Sequence, residues 1–380
     1  MPDTNQAANI PSATAAVANS PTTENPAHSS PPNDDNAFIA ADDDADDAAS
    51  AIAASIASST TSITDSIREY RLENGRTYHK YKDGIYNLPN DDRENDRLGT
   101  RLRPMTKKKM CIDLQHNLVV RSFNGRLGTA PPNDPDAKVG RVLDLGTGSG
   151  IWAMEFGDDH PEAEVIGVDL SAAQPEFVPP NVRFEVDDVE EVWTYSRPFD
   201  YIHSRMMTSS ISNWKAYIKQ AYDHLSPGGY LELNEPDLKP LSDDGTLKED
   251  SALMKSIGLI EEAARIFGRP YEDIQGLKDV MIETGFKDVH IQRFKWPTNG
   301  WAKDPKYREI GAWNYENFAA NWEAFTMAPF TRALAWTKEE VLIHAMEVRR
   351  DLADRRIHAY FSLWSIWGRK PVGVDEAPEA

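Results

Sequence analysis

The sequence predicts an α/β protein built on a doubly wound, mostly parallel sheet. Short apolar strands alternate with helical stretches from residue 137 onward, and the first strand, "RVLDL", is followed directly by the glycine turn "GTGSG" and a helix. The next strand, "AEVIGVDLS", ends in an acid. A strand, a glycine turn, a helix and a strand with a terminal acid form the first half of a nucleotide-binding sheet, whose ligands lie outside the carboxyl ends of the strands.

The first 64 residues are predicted to form a disordered acidic tail. They contain no Lys or Arg, and their acids concentrate in "DDDADD" at 42–47 among Ala, Ser, Thr, Pro and Asn. This composition buries too little apolar surface to offset the entropy of ordering. A transient helix in "ASAIAASIASS" that docks a protein partner is the alternative. Residues 373–380 are also expected to be disordered.

Residues 65–136 are predicted to form an N-terminal helical segment. The stretch "REYRLENGRTYHKYKDG" is interpreted as a helix that runs into turn residues, and a second helix is expected after Pro104. The three lysines at 107–109 are either a nuclear import signal or phosphate patch, or the solvated face of a helix. His116 contributes to a ligand site only if these helices fold over it.

Residues 137–372 are predicted to form the sheet domain. Its seven strands are expected within "RVLDL", "AEVIGVDLS", "NVRFEVDDVEEVW", "FDYIHSRMM", "GGYLELNEPD", "KDVHIQRFKWP" and "RIHAYFSLWSIWGRKP". His203 and Arg205 are placed just beyond the end of the fourth strand. A helical insertion rich in Trp, Tyr, Phe and Met is expected at about 301–354, before the last strand. It either roofs a hydrophobic acceptor pocket or packs as helices on the sheet.

The spacing of the glycine turn distinguishes two ligand classes. A dinucleotide fingerprint requires a third glycine at position 151, which is Ile151; the glycines are instead Gly146, Gly148 and Gly150. They are preceded by Asp144, and an acid there disfavours a pyrophosphate but suits a ligand with an ammonium and a sulfonium. The pattern therefore favours S-adenosylmethionine (SAM) over a nicotinamide cofactor.

Two further strand ends suit the rest of SAM. Asp169 ends the second strand, where its carboxylate is placed to accept both ribose hydroxyls. Asp187 and Asp188 end the third strand, where a carboxylate can accept from the adenine amino group. The sequence does not decide between these two acids.

From about Tyr70 to Pro371, the chain resembles the class I SAM-dependent methyltransferases, and more closely the LaeA-like group of filamentous fungi, which includes secondary-metabolism regulators and pathway enzymes. The resemblance rests on "YHKYKDGIYNLPND", "LDLGTGSGIWAMEF", "VIGVDLS", "VPPNVRFEVDDVEEVW", "FDYIHSRMM" and "LSPGGYLELNE". It implies a seven-stranded Rossmann-like sheet whose last two strands form a reversed hairpin.

The resemblance also implies positions for the cofactor. Its methionine moiety is expected near Asp144, Gly146, Thr147, Gly148 and Gly150, its ribose at Asp169 and Leu170, and its adenine at Asp187, Asp188 and Val189. His203 is the candidate catalytic base by motif position, with a structural role or a contact to the SAM carboxylate as alternatives. Arg205 pairs either with that carboxylate or with an acid at the sheet edge.

Composition narrows the function. Cys111 is the only cysteine, which excludes an internal disulfide and a cysteine-cluster metal site, and no metal is expected. No apolar run of membrane-spanning length occurs. No direct nucleic-acid binding is expected; the net charge is −20, although its distribution along the chain matters more than its sum. We expect a cytosolic or nuclear protein that methylates a small molecule of secondary metabolism. The alternative is a regulatory methyltransferase in a nuclear complex, with the acidic tail as a contact for a protein partner.

Overall fold

A computed structural model describes residues 38–42, 70–79, 89, 114–175 and 177–372 of the chain. The strands are β1 (Tyr70–Glu73), β2 (Arg76–His79), β3 (Arg141–Leu145), β4 (Glu164–Asp169), β5 (Val182–Val186), β6 (Phe199–Arg205), β7 (Leu225–Leu241), β8 (Lys287–Pro297) and β9 (Tyr360–Arg369). The helices are α1 (Leu114–Ser122), α2 (Ile151–Asp159), α3 (Trp214–His224), α4 (Ala252–Ile266), α5 (Leu277–Thr284), α6 (Pro305–Ala319), α7 (Trp322–Ala333) and α8 (Lys338–Ala353).

Strands β3 to β9 form a seven-stranded sheet in the order β5-β4-β3-β6-β7-β9-β8. The first five strands are parallel, whereas β9 runs antiparallel to both β7 and β8. The connection after β3 and the connection after β6 cover opposite faces of the sheet, which opens a crevice at the carboxyl ends of these two neighbouring strands. The predicted doubly wound, mostly parallel sheet with a terminal reversed hairpin is confirmed.

Apolar side chains of the central strands alternate between the two faces of the sheet. Leu143 and Ile202 belong to one buried cluster, beneath α3 and α5, and Val142 and Tyr201 belong to another, beneath α2. A sheet that is covered on both faces buries the side chains of both faces of a strand such as β3, which explains why its apolar residues do not alternate with exposed ones after Arg141.

The helix predicted in the stretch that starts at Arg68 is wrong where the structure describes it. Residues 70–79 form an antiparallel hairpin of β1 and β2, with Tyr70 opposite His79. Asn74 and Gly75 occupy its turn with φ values of 52° and 83°. Asn-Gly is the preferred pair for a two-residue hairpin turn, because both central residues need a positive φ.

Part of the predicted disordered tail is ordered. Residues 38–42 lie against Trp301–Lys303, with Ala41 and Ala302 paired in antiparallel fashion. Ile39 is buried in this contact. It anchors this part of the tail, although the tail as a whole contains little apolar surface to bury. The rest of residues 1–64, the helix after Pro104 up to residue 113 with its lysines, and residues 373–380 lie outside the described residues.

The boundary of the fourth strand differs from the prediction. Strand β6 extends through His203 and Arg205 rather than ending before them, because both residues pair with β7. The predicted Pro-Gly-Gly turn is an irregular part of β7, where Gly228 has a φ of 86° and the pairing with β6 shifts register.

The predicted insertion between β8 and β9 contains α6, α7 and α8. Asp304 caps α6 through its side chain, and Thr337 and Glu340 form a capping box at the start of α8. The three helices pack on α4 and on the buried face of β8 and β9 through Trp296, Phe330 and Phe361. Within the described part of the chain, no helix has both the length and the apolar character that a membrane span requires.

Candidate functional site

The glycine turn between β3 and α2 places its backbone at the carboxyl edge of the sheet. Gly146, Gly148 and Gly150 have φ values of 67°, 55° and 79°, which residues with a Cβ rarely adopt. A Cβ on Gly146 would collide with Met207, and one on Gly150 with the ring of Phe184. A Cβ on Gly148 would meet nothing closer than a backbone oxygen at 4.0 Å. Gly148 is therefore the glycine that faces open space.

Asp144 is buried behind this turn and contacts two other side chains. Thr147 Oγ1 donates to Asp144 Oδ2 at 2.6 Å, and His203 Nδ1 lies 2.7 Å from Asp144 Oδ1. The His203 ring stacks on Trp152 with centroids 3.8 Å apart, and its Nε2 is 3.3 Å from Asn234 Nδ2. Both carboxylate oxygens of Asp144 thus make hydrogen bonds to protein groups. Asp144 therefore acts on a ligand through its negative charge and by orienting Thr147.

Asp169 supports the turn from the end of β4. Its Oδ2 accepts from the backbone N–H of Gly148 at 2.8 Å, and its Oδ1 accepts from that of Ser171 at 2.9 Å. Burial raises the pKa of Asp169 to about 6, although these two backbone donors favour the charged form. The carboxylate borders the cavity described next and retains lone pairs for further donors.

A cavity of about 260 Å³ lies over the turn. One wall is polar and comes from the carboxyl ends of β3 to β6. The other wall is apolar and comes from α4, β8, β9 and the insertion helices. The polar wall includes Gly146, Thr147, Gly148, Ser149, Asp169, Leu170, Asp187, Asp188, Val189, Glu190 and Arg205.

The predicted site residues divide into two groups. Nine of the twelve line the cavity: Gly146, Thr147, Gly148, Asp169, Leu170, Asp187, Asp188, Val189 and Arg205. Asp144, Gly150 and His203 lie behind that wall, and His203 is fully buried. A base must reach the proton that it removes, so this position does not suit His203 as the catalytic base. Its contacts suit a residue that positions Asp144.

Helix α1 closes one side of the polar wall. Gln115 lines the cavity, and His116 is buried with its Nε2 3.0 Å from Glu155 Oε2 on α2. His116 Nδ1 lies 3.3 Å from Arg205 Nη2. An arginine can only donate, so Nδ1 accepts and the ring proton lies on Nε2, facing Glu155. Glu155 and His116 therefore hold the Arg205 guanidinium at the cavity.

The apolar wall is largely aromatic. It includes Phe267, Tyr271, Trp296, Phe318, Trp322, Phe325 and Phe361, together with Ile257, Ile260, Ala264 and Pro329. The indole N–H groups of Trp296 and Trp322 donate to Ser122 and Ser256 at 2.7 and 2.9 Å. Both indoles thus have their polar edge satisfied by the protein. The insertion helices act both as a roof and as core, since Phe318 and Trp322 also belong to the buried cluster beneath them.

Thr208 and Glu235 add a titratable group next to the cavity. Thr208 lines it, and its Oγ1 donates to Glu235 Oε2 at 2.8 Å. Glu235 is fully buried, its Oε1 has no hydrogen-bond partner among the described residues, and burial raises its pKa to about 7. Sequence reasoning missed this pair, although Thr208 directly follows the stretch "FDYIHSRMM" in which the fourth strand was expected.

The other cavity residues that were missed include Gln115, Arg269 and Tyr271. Arg269 Nη1 donates to Glu190 Oε2 at 2.7 Å, which fixes the rim of the cavity. Burial raises the pKa of the Tyr271 phenol, so its hydroxyl stays protonated. No local motif marks these residues, because tertiary packing brings them to the site. Within the described residues, no cluster of three or more His, Cys, Asp or Glu side chains is arranged to hold a metal ion.

Comparison with known proteins agrees with this geometry. A methyltransferase domain model matches residues 113–291. A methyltransferase of Aspergillus terreus, pytC, is 42% identical over 81% of this chain and 90% of its own length. The secondary metabolism regulator LAE1 of Cochliobolus heterostrophus is 36% identical over 79% of this chain and 94% of its own.

Among solved structures, the cyclopropane synthase MmaA2 of Mycobacterium tuberculosis matches 70% of this chain and 87% of its own, with 17% identity and a TM-score of 0.44. The two fungal relatives are similar over most of their length and most of this chain. The chain therefore belongs to the class I SAM-dependent methyltransferases, in the LaeA-like group of fungal secondary metabolism.

Proposed function

We propose that this protein transfers a methyl group from SAM to a small, largely apolar acceptor held under the insertion helices. The observation that carries the proposal is that one cavity joins the polar glycine-turn wall to the aromatic wall. Methyl transfer is an in-line displacement, so a cofactor and an acceptor in one cavity need only be aligned and shielded from water. The aromatic wall of the cavity suits a small, largely apolar molecule.

The polar wall fits SAM. Gly148 leaves room where a side chain would block the turn, and Asp169 offers its carboxylate to the ribose hydroxyls. Asp188 and Val189 are assigned to the adenine, and Arg205 to the carboxylate of the methionine moiety. The bound cofactor supplies an electrophilic methyl group on a sulfonium, and Asp144 adds a negative charge behind the turn.

The chain's own residues prepare the acceptor. The aromatic wall excludes water and offers ring faces on which a planar, apolar molecule can stack. The protonated Tyr271 hydroxyl at this wall can orient a polar substituent. For a hydroxyl acceptor, we assign proton removal to Thr208, which passes its own proton to Glu235 while it takes the acceptor's proton. A pKa of about 7 allows Glu235 to accept that proton near neutral pH.

Incubation of the full chain with methyl-labelled SAM and a fungal metabolite extract tests this proposal. We expect the label in a small hydrophobic product. A matched Asp169→Ala variant controls for chemistry that does not need the cofactor site. Label found only on protein, or no transfer by a chain that binds SAM, would contradict the proposal.

A regulatory methyltransferase that acts in a nuclear complex is the second candidate. The similarity to a named secondary metabolism regulator, 36% identical over most of both chains, favours it. In the same labelling experiment, this candidate requires transfer to protein, or a retained protein complex without a small labelled product.

A further inference from the structure

A five-residue piece of the N-terminal region docks on the sheet domain far from it in sequence. The backbone N–H of Asp42 donates to the carbonyl of Trp301 at 2.8 Å, and that of Lys303 donates to the carbonyl of Ala40 at 2.6 Å. These two bonds flank the Ala41–Ala302 pair. Residues 38–42 thus run antiparallel to 301–303 and pair with them through one isolated β-bridge, with the kind of backbone pairing by which an extended peptide binds.

Two side chains of this segment are buried or paired. Ile39 is only 5% exposed and packs in a small cluster with Trp301 and Ala302, beside Tyr307. Asp42 Oδ2 lies 2.8 Å from Arg308 Nη2 and 3.9 Å from Arg355 Nη2. Phe38, by contrast, is 64% exposed. The segment therefore presents an apolar residue and, three positions later, an acid.

The receiving surface has its own supports. Arg308 Nε donates to the carbonyl of Ala302 at 3.1 Å, and Arg355 Nη2 donates to that of Gly300 at 2.9 Å. The Trp301 indole donates to the carbonyl of Ala359 at 2.9 Å. None of these contacts involves an atom of residues 38–42. Both guanidinium groups and the indole are therefore held by the sheet domain itself in the positions that the segment contacts. A preorganised set of this kind lowers the entropy cost of binding a short peptide.

We propose that residues 300–308 and Arg355 form a recognition site for a short extended peptide. The peptide that fits this site has an apolar residue followed by an acid three positions later, and its occupant is the chain's own segment 38–42. Backbone pairing supplies affinity. The apolar cluster around Ile39 and the two arginines, Arg308 and Arg355, supply specificity for the apolar residue and the acid. The site is separate from the cofactor cavity and does not depend on the methyl-transfer proposal.

A disulfide trap tests the contact in the full chain. Ala41 and Ala302 form a non-hydrogen-bonded antiparallel pair, in which Cα atoms lie about 4.5 Å apart, and that separation suits a disulfide. In a Cys111→Ser background, Ala41→Cys with Ala302→Cys should cross-link within one chain on mild oxidation. Ala40→Cys with Ala302→Cys is the control, because neighbouring side chains of a strand point to opposite faces. Equal cross-linking of both pairs would overturn the docking.

A peptide competition tests recognition. In full-length Ile39→Asp, the buried charge should empty the site, and a fluorescent peptide of residues 36–45 should then bind. Wild-type chain should bind the same peptide at least tenfold more weakly, because its tethered segment competes at high effective concentration. Absence of binding to the variant, or equal binding to both, would overturn the proposal.

Charge exchange provides the specificity control. A peptide with Asp42→Arg should fail to bind the Ile39→Asp chain, and should regain binding when Arg308→Glu is added to that chain. A restored signal requires the contact between these two side chains, which a general effect on folding does not reproduce. SAM affinity, measured on each chain, should stay within twofold and serves as the check on the fold. Failure of the exchanged pair to bind would remove the arginine contact from the proposal and overturn it.

Discussion

Asp169 has two roles that a sequence motif does not separate. Its carboxylate accepts from two backbone N–H groups of neighbouring turns and also borders the cavity. Truncation to Ala therefore removes both a turn anchor and a ligand contact. We expect Asp169→Ala to lower the melting temperature and to weaken SAM binding by roughly 10- to 1000-fold, since each charge-assisted hydrogen bond contributes about 1.5–3 kcal/mol. Calorimetry with thermal unfolding of the same variant measures both effects.

The raised pKa of Asp169 makes cofactor binding depend on pH. The group has a pKa of about 6 without ligand, and ribose hydroxyls donate more strongly to its charged form than to the neutral acid. Binding therefore lowers the pKa and releases a proton below about pH 6, so affinity should rise with pH up to that point and stay level above it. Calorimetric titration with demethylated SAM between pH 5 and 8, in two buffers of different ionisation heat, measures the number of protons released on binding. A pH-independent affinity would contradict this assignment, and Asp169→Asn should lack the dependence.

Gly148 and Gly150 form a matched pair of test positions. Both have a positive φ, so an alanine at either costs about 1–2 kcal/mol of backbone strain. Only the methyl group at 150 also collides with Phe184, whereas that at 148 points into open space. We expect Gly148→Ala to fold and lose SAM binding, and Gly150→Ala to lose considerably more stability. Normal SAM binding by Gly148→Ala would show that the cofactor lies elsewhere.

Glu235 predicts a second pH effect, on stability. Its pKa is raised from 4.5 to about 7, so the folded chain binds more protons than the unfolded chain between these values. Stability is therefore lost as pH rises through this window, by up to about 3 kcal/mol. Glu235→Gln carries no such charge, and its free energy of unfolding should fall less than that of wild type between pH 5 and 8. Parallel curves from urea unfolding at each pH would contradict this.

At the scale of elements, the β1–β2 hairpin is fastened to α7 by Arg332. This side chain donates to both carboxylate oxygens of Glu73, at 2.7 to 3.2 Å, and its guanidinium lies 4.7 Å from the Tyr78 ring centroid. Both charged groups are largely shielded from water, which makes the pair stronger than an exposed one. The hairpin and the insertion are therefore one packing unit.

Arg332→Met should release this hairpin. We expect faster hydrogen exchange and proteolysis at residues 70–79, with a local cost of about 1–3 kcal/mol, because Glu73 keeps, among the described residues, only its pair with Arg71 and Tyr78 loses its cation. Arg356→Met is the control: its pair with Asp354 involves an arginine side chain that is 89% exposed, and such pairs contribute little. Equal exchange in the two variants would contradict the role of Arg332.

The elements that sequence predicted well are those whose signal is local. Strands β3 and β4 and the glycine turn follow from apolar runs and from glycines that need a positive φ. The hairpin was missed because a charged, aromatic-rich stretch was given more weight than its Asn74–Gly75 turn. His203 was expected just beyond the end of its strand, whereas β6 continues to Arg205 and the His203 ring is buried in the core.

The rest of the candidate site was not predictable from local patterns. Tyr271 and Gln115 reach the cavity from α4's flanking loop and from α1, which are distant in the chain from the glycine turn. The role of the Thr208 side chain depends on its hydrogen bond to Glu235, which lies on a neighbouring strand. Tertiary contacts of this kind leave no periodic signal in the sequence.

At the scale of the whole molecule, the docked segment revises the expectation for the N-terminal tail. Removal of residues 1–37 should leave the melting temperature unchanged, because it spares residues 38–42. Removal of residues 1–43 should lower it by a few degrees, since burial of Ile39 contributes about 1.5–3 kcal/mol before the entropy of ordering is subtracted. Scanning calorimetry of the two truncated chains decides this. Equal melting temperatures would show that the contact adds no stability.

The position of β9 has a consequence for synthesis on the ribosome. Strand β8 pairs with no other strand of the sheet than β9, and β9 lies between it and β7. Residues 287–297 therefore leave the exit tunnel with their backbone groups unpaired and wait for residues 360–369, which are translated after the whole insertion. Meanwhile β7 presents an open edge on the parallel half of the sheet, which is a template for unwanted pairing. The C-terminal half of the nascent chain thus keeps unpaired strand edges for longest, whereas the cofactor-binding half is made first.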